Sequence, residues 1–133
     1  MRIVSVTENK DIEKRIAITP EIAKKYLSFG FEVCLPKNYG DHLGFTDKDF
    51  KDLGVDILES EKKIIENANI ILQLNLPSDE KLSLLKENQN LIGVLNPYFN
   101  KEKLSNLIKK KINSFSLELL PRITRAQSMD ILS

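Results

Sequence analysis

The stretch Thr19-Pro20-Glu21-Ile22-Ala23-Lys24-Lys25-Tyr26-Leu27-Ser28-Phe29-Gly30-Phe31-Glu32-Val33-Cys34-Leu35 decides the fold. Thr19 suits a side-chain N-cap, Pro20 fits the first helical position, and Glu21 sets a negative charge against the positive end of the helix dipole. Ile22, Ala23, Tyr26 and Leu27 then recur at helical spacing and give one apolar face. Gly30 can end that helix and turn the chain into Phe31 to Leu35, which reads as a strand. Upstream, Arg2-Ile3-Val4-Ser5-Val6 is a compact strand, so the chain opens as β-α-β.

The rhythm continues downstream. Asp47 to Leu53 predicts a short surface helix stopped near Gly54, followed by a brief apolar segment and a second helix around Glu61 to Glu66. Ala68 to Leu74 reads as the strongest middle strand, and Pro77, Ser78 and Asp79 separate it from the helical spacing of Leu82 and Leu85. Leu91 to Leu95 and Ile112 to Leu117 bracket a helix carrying Leu104, Leu107 and Ile108, with the last strand reaching Leu120-Pro121. Strands that keep returning after helical crossovers predict an α/β sheet with helices on both faces. Residues 122 to 133 read as a polar loop entering a helix that ends almost as it begins, so the expectation is a single domain over 1–133, truncated at its C-terminal end.

Composition narrows the function classes. The 133 residues are 41% hydrophobic and 29% charged, which suits one modest core. Twenty Lys plus Arg against 19 Asp plus Glu leave a formal charge of +1, so no broad basic footprint for nucleic acid exists. Lys109-Lys110-Lys111 reads as a solvated helix end. Cys34 cannot form an intrachain disulfide and sits in an apolar stretch where packing is the plainer role; no secretory or membrane-spanning pattern is present, and the cytoplasm is the default compartment. His42 lacks the companions a metal site needs, so the expectation is a loop histidine and no metal.

Several polar residues invite a binding reading. Arg122, Arg125, Gln127, Ser128 and Asp130 could together hold a phosphate, ribose or carboxamide, or could simply cap and solvate a helix. Arg15 could recognise a substrate or a neighbouring domain, or pair on the surface with an acid such as Glu13. Gln73 and Asn96 fall near strand exits, where a parallel sheet exposes ligand-facing groups but also needs structural hydrogen bonds. Glu118 could form a salt bridge with the terminal arginines. The five glycines form neither GxGxxG nor a phosphate-loop motif, so no catalytic residue and no complete dinucleotide site is assigned.

Three segments together carry a resemblance: Arg15-Ile16-Ala17-Ile18-Thr19-Pro20-Glu21, Ile70-Ile71-Leu72-Gln73-Leu74-Asn75-Leu76-Pro77 and, most specifically, Pro121-Arg122-Ile123-Thr124-Arg125-Ala126-Gln127-Ser128-Met129-Asp130. The chain resembles, across essentially its whole length, the N-terminal part of the alpha subunit of proton-translocating NAD(P) transhydrogenases, within the alanine dehydrogenase/transhydrogenase family. The resemblance implies a three-layer Rossmann-like or flavodoxin-like domain with a mostly parallel sheet, lacking the glycine-rich nucleotide-binding domain. It implies NAD(H) bound jointly with that downstream domain, NADP(H) on a partner component, membrane subunits as further partners, and a homodimer as one form of the alpha component. The protein would then be cytoplasmic and peripheral to the membrane through those subunits.

By the same resemblance, Arg122, Gln127 and Asp130 match the loop beside the nicotinamide and its ribose. Arg15 matches the family's early arginine. Relatives often carry lysine where this chain has Gln73, and Asn96 stands near the place of a histidine that alanine dehydrogenases use on their substrate. Those two departures turn the expectation toward transhydrogenation, with an alanine dehydrogenase-like fragment or a non-catalytic interaction module as the alternatives.

Overall fold

Residues 1–117 are described by the structure, a computed structural model. Six strands, β1 (Arg2–Val4), β2 (Glu32–Pro36), β3 (Asp56–Leu58), β4 (Ile70–Asn75), β5 (Asn90–Val94) and β6 (Asn113–Ser116), form one sheet in the order β3-β2-β1-β4-β5-β6. Every neighbouring pair is parallel. This order is the Rossmann one, and it decides against the flavodoxin-like alternative.

The connecting helices are α1 (Pro20–Ser28), α2 (Asp47–Lys51), α3 (Glu61–Glu66), α4 (Asp79–Leu82) and α5 (Lys101–Lys109). Thr19 caps α1 by accepting from the Ile22 N–H, with Pro20 and Glu21 in the first turn. A reciprocal capping box of Thr46 and Asp49 starts α2, and Ser60 caps α3. The chain crosses the sheet once. Ile22 and Ala23 of α1 and Phe50 of α2 pack with Ile3, Val33, Leu35 and Leu72 on one face. Ile64 and Ile65 of α3, Leu82 of α4 and Leu107 of α5 pack with Val4, Cys34, Ile71 and Leu91 on the other. Buried apolar side chains on both faces explain why β4 reads as a near-continuous hydrophobic run.

The structure refines three boundaries. β1 stops at Val4, and Ser5 and Val6 leave the ladder because their partners are side chains, described below. The apolar segment after Gly54 is the edge strand β3, paired to β2 from Cys34↔Asp56 to Pro36↔Leu58. The β4–β5 register shifts between Leu72 and Asn75. Gly93 allows that irregularity, since a Cβ there would collide with the Gln73 carbonyl. Cys34 is buried in the second core, and burial pushes its thiol pKa up. Lys109, Lys110 and Lys111 are exposed at the end of α5, where Lys111 pairs with Glu87 at 3.5 Å.

Candidate functional site

β1 and β4 are neighbours whose exits diverge, β1 toward α1 on one face and β4 toward α4 on the other. A crevice opens at such a point, and ligands of open parallel sheets collect there. A cleft of about 300 Å³ lies at this place, lined by Thr7, Glu8 and Glu13 of the β1–α1 loop and by Asn75, Ser78 and Lys81 of the β4 exit and α4.

The floor of the cleft is a directional chain of hydrogen bonds. Gln73 is 1% exposed. Its Oε1 accepts from the Val6 N–H at 2.7 Å and from Ser5 Oγ at 3.1 Å, and its Nε2 donates to the Val6 carbonyl at 3.2 Å and to Glu8 Oε2 at 2.8 Å. The amide thus takes the place of a neighbouring strand for Val6, satisfying backbone groups that the diverging sheet leaves behind. Ser5 Oγ in turn accepts from the Tyr39 hydroxyl at 2.8 Å, and the Tyr39 oxygen accepts from the Ala17 and Ile18 N–H groups at 3.0 and 3.2 Å. Each donor has one acceptor along this path, so the amide orientation of Gln73 follows from the network. Burial pushes the Tyr39 phenol up to about 12.

Two carboxylates tie the β1–α1 loop to β4, and they differ in chemistry. Glu13 accepts from Arg15 Nε at 2.9 Å, from Arg15 Nη2 at 2.8 Å and from Asn75 Nδ2 at 3.2 Å. The Arg15 hydrogen bonds hold its carboxyl down at about 2. Glu8 is half-buried, and its Oε2 accepts from the Leu74 N–H at 2.8 Å as well as from Gln73. Burial pushes its pKa up, against the pull of the backbone donors Leu74 and Asn75. Lys81 donates to the Thr7 carbonyl at 2.6 Å and pairs with Glu61 at 3.3 Å. His42 Nε2 bonds the Lys14 carbonyl at 2.7 Å; a carbonyl only accepts, so Nε2 carries the proton.

Of the residues singled out in the sequence, the structure brings Arg15 and Gln73 toward this cleft through Glu13 and Glu8. The Arg15 side chain is 78% exposed and its Glu13 partner 13%, so the guanidinium is anchored yet open to solvent. Asn96 lies at the exit of β5 and does not line the cleft. It has φ 50°, and its carbonyl accepts from the N–H groups of Phe99 and Asn100. Arg122, Gln127 and Asp130, together with Arg125, Ser128 and Glu118, lie outside the described residues. Sequence reasoning passed over Glu8, Asn75, Lys81 and Tyr39. Polar Ser5 inside an apolar strand was the available signal, since a buried hydroxyl there requires partners from elsewhere.

The first βα turn is unsuited to a pyrophosphate. The chain between β1 and α1 contains no glycine, the first turn of α1 is already served by Thr19, and Glu21 places a negative charge where phosphate would need a positive field. The cleft instead offers amide, hydroxyl and carboxylate groups, a set that suits sugar hydroxyls or a carboxamide. Among the described residues no group of three His, Cys, Asp or Glu could hold a metal ion, and no helix is long and apolar enough to cross a membrane.

The family model of the alanine dehydrogenase/PNT N-terminal domain matches residues 5–133. The first of the separate chains that make up NAD(P) transhydrogenase subunit alpha in Rickettsia prowazekii (strain Madrid E) is 37% identical over 138 aligned positions, covering 100% of this chain and 36% of the relative. Its counterpart of the same name from Rhodospirillum rubrum is 33% identical, with the same coverage of 100% and 36%. Among solved structures, the transhydrogenase from Sinorhizobium meliloti superposes with a TM-score of 0.85 at 32% identity, over 96% of this chain and 38% of that one. The chain therefore spans a little over a third of the length of these relatives.

Proposed function

The chain belongs to the alanine dehydrogenase/PNT N-terminal domain family, and from that premise we propose that it forms one wall of the NAD(H) site in a proton-translocating NAD(P) transhydrogenase. The observation that carries this reading is the cleft between β1 and β4, polar enough for a ribose or carboxamide yet flanked by a first βα turn that repels pyrophosphate. Such a domain needs a second one to hold the phosphates. The second wall is a downstream glycine-rich domain, and the NADP(H) site and proton path belong to partner subunits in the membrane, to which this chain would be peripheral. Two copies of the alpha component would pair.

The bound nucleotides supply the chemistry, a hydride passed between two nicotinamide rings. This chain's residues position and shield. Arg122, Gln127 and Asp130 would organise the loop beside the nicotinamide and ribose, Gln127 by donating and accepting at the ribose or carboxamide and Arg122 by pairing with Asp130. Arg15, held by Glu13, offers a fixed positive charge at the mouth of the cleft, and Asn96 contacts the downstream domain. No side chain acts as nucleophile or general base, so positioning and exclusion of water carry the rate. Alanine oxidation is the weaker reading, since the Gln73 amide is neutral and its donors and acceptor are spent on Ser5, Val6 and Glu8.

Reconstitution tests the proposal. The chain alone should show neither specific NADH binding nor turnover, and adding the downstream domain with the membrane subunits should produce NADH-dependent reduction of NADP⁺. Robust transhydrogenation by the chain alone refutes the shared-site reading, and a reconstituted assembly that oxidises alanine instead supports the alternative.

A further inference from the structure

We propose that Glu8 is a proton-operated latch on the β1–α1 loop: as a neutral acid it holds the loop against β4, and on ionisation it loosens the loop and widens the cleft. The argument begins with how Glu8 is held. Its Oε2 is the common acceptor for Gln73 Nε2 and the Leu74 N–H, both at 2.8 Å. A protonated carboxyl keeps a carbonyl oxygen able to accept both, with the proton on the other oxygen, so closure does not require the charge.

The surroundings disfavour that charge. Among the described residues Glu8 has no ion pair. Lys81 of α4 is the nearest candidate, but its ammonium is committed to the Thr7 carbonyl and to Glu61 of α3. Arg15 is clamped on Glu13, and Glu13 itself adds repulsion from the same loop. From the β2 side, the Tyr39 phenol stays neutral and gives its proton to Ser5. On β4 the facing groups are the Gln73 amide and the Leu74 and Asn75 backbone, which donate but carry no charge. A half-buried carboxylate with no counter-ion is relieved by moving into water, and the loop that carries it moves too.

Sign follows from linkage. The closed loop takes up the Glu8 proton more readily than an open, hydrated one, so acid favours closure and rising pH favours opening. Glu13 remains fixed throughout, because Arg15 keeps it ionised down to about pH 2. One end of the loop is therefore a permanent post and the other a titrating latch. This inference concerns the shape of the cleft and stands apart from which ligand fills it.

The test uses the full 133-residue chain, with backbone-amide and Glu side-chain carboxyl NMR recorded from pH 4 to 8. Leu74 N–H protection, corrected for intrinsic exchange, should fall several-fold as pH rises through the Glu8 titration, in step with shifts of Thr7 to Asn9. Glu8→Gln, which keeps the accepting oxygen but cannot ionise, should keep Leu74 protected at every pH; Glu8→Ala should leave it unprotected at every pH. Protection in the unsubstituted chain that is constant or rises across the Glu8 titration overturns the proposal. So does a Glu8→Gln chain that opens with the same pH dependence. Hydride transfer does not enter the readout, so failure here leaves the transhydrogenase proposal standing.

Discussion

Gln73 and Glu8 meet end to end at 2.8 Å, an amide N–H₂ donating to a carboxyl oxygen, with the other end of the same amide closing the backbone of Val6. The contact joins β4 to the loop leaving β1, at the one place where the sheet changes winding direction.

Gln73→Ala should remove the partners of the Val6 N–H and carbonyl and of Ser5 at once, costing about 2–4 kcal/mol because buried polar groups are left unpaired. Gln73→Glu tests the sign of the local field. A second carboxyl beside Glu8 and the Val6 carbonyl is disfavoured when ionised, so the folded state would hold its proton more tightly and stability would fall as pH rises from 5 to 8. Urea denaturation at several pH values checks both.

Tyr39→Phe should cost about 1–3 kcal/mol, since the Ala17 and Ile18 N–H groups lose their acceptor and Ser5 loses a donor inside the core. The aromatic contact with Phe50, with centroids 6.2 Å apart, is retained by the substitution. Chemical denaturation, together with faster exchange of the Ala17 and Ile18 amides, measures the loss.

Gly93→Ala should destabilise by about 1–3 kcal/mol through overpacking. Its new methyl meets the Gln73 carbonyl, which is backbone and can yield only by shifting β4. A displaced Gln73 would show as changed Val6 and Leu74 amide signals, whereas unchanged signals and stability contradict the close approach.

Arg15→Ala should raise the Glu13 pKa from about 2 toward the ordinary glutamate range, because the arginine hydrogen bonds are the first cause of its depression. A depressed carboxyl pKa stabilises the fold above the ordinary range and loses that contribution as pH falls toward 2. The stability difference between the two chains should therefore be largest near neutrality and vanish in strong acid. The arginine is mostly exposed, so the effect is modest and shrinks with salt. Carboxyl NMR and acid denaturation read it out.

Arg122→Ala and Gln127→Ala should slow hydride transfer in the reconstituted assembly by about tenfold or more while leaving the melting temperature nearly unchanged, as expected when a positioning contact is lost. Unchanged transfer with both substitutions counts against their roles.

Local chemistry made most of the elements legible. Thr19-Pro20-Glu21 and Gly30 bounded α1 because capping and chain reversal are properties of a few adjacent residues, and the apolar runs of β2, β4 and β5 reported burial on both faces. β3 was legible only as an apolar segment, since three residues at a sheet edge carry too short a pattern. Gln73 stood out as polar in an apolar run, but a side chain announces its need for partners without naming them.

The partners come from far along the chain. Glu8 and Gln73 are 65 residues apart, and Ser5 and Tyr39 are 34 apart. Propensity, periodicity and capping act over a few residues, so they dictate an α/β rhythm and leave strand order open. Only the packed sheet sets β1 beside β4, and that adjacency makes the cleft. The low charge of Glu13 and the proton affinity of Glu8 follow the same division: two glutamates of one loop are chemically alike in the chain, and Arg15 on one and burial on the other set them apart.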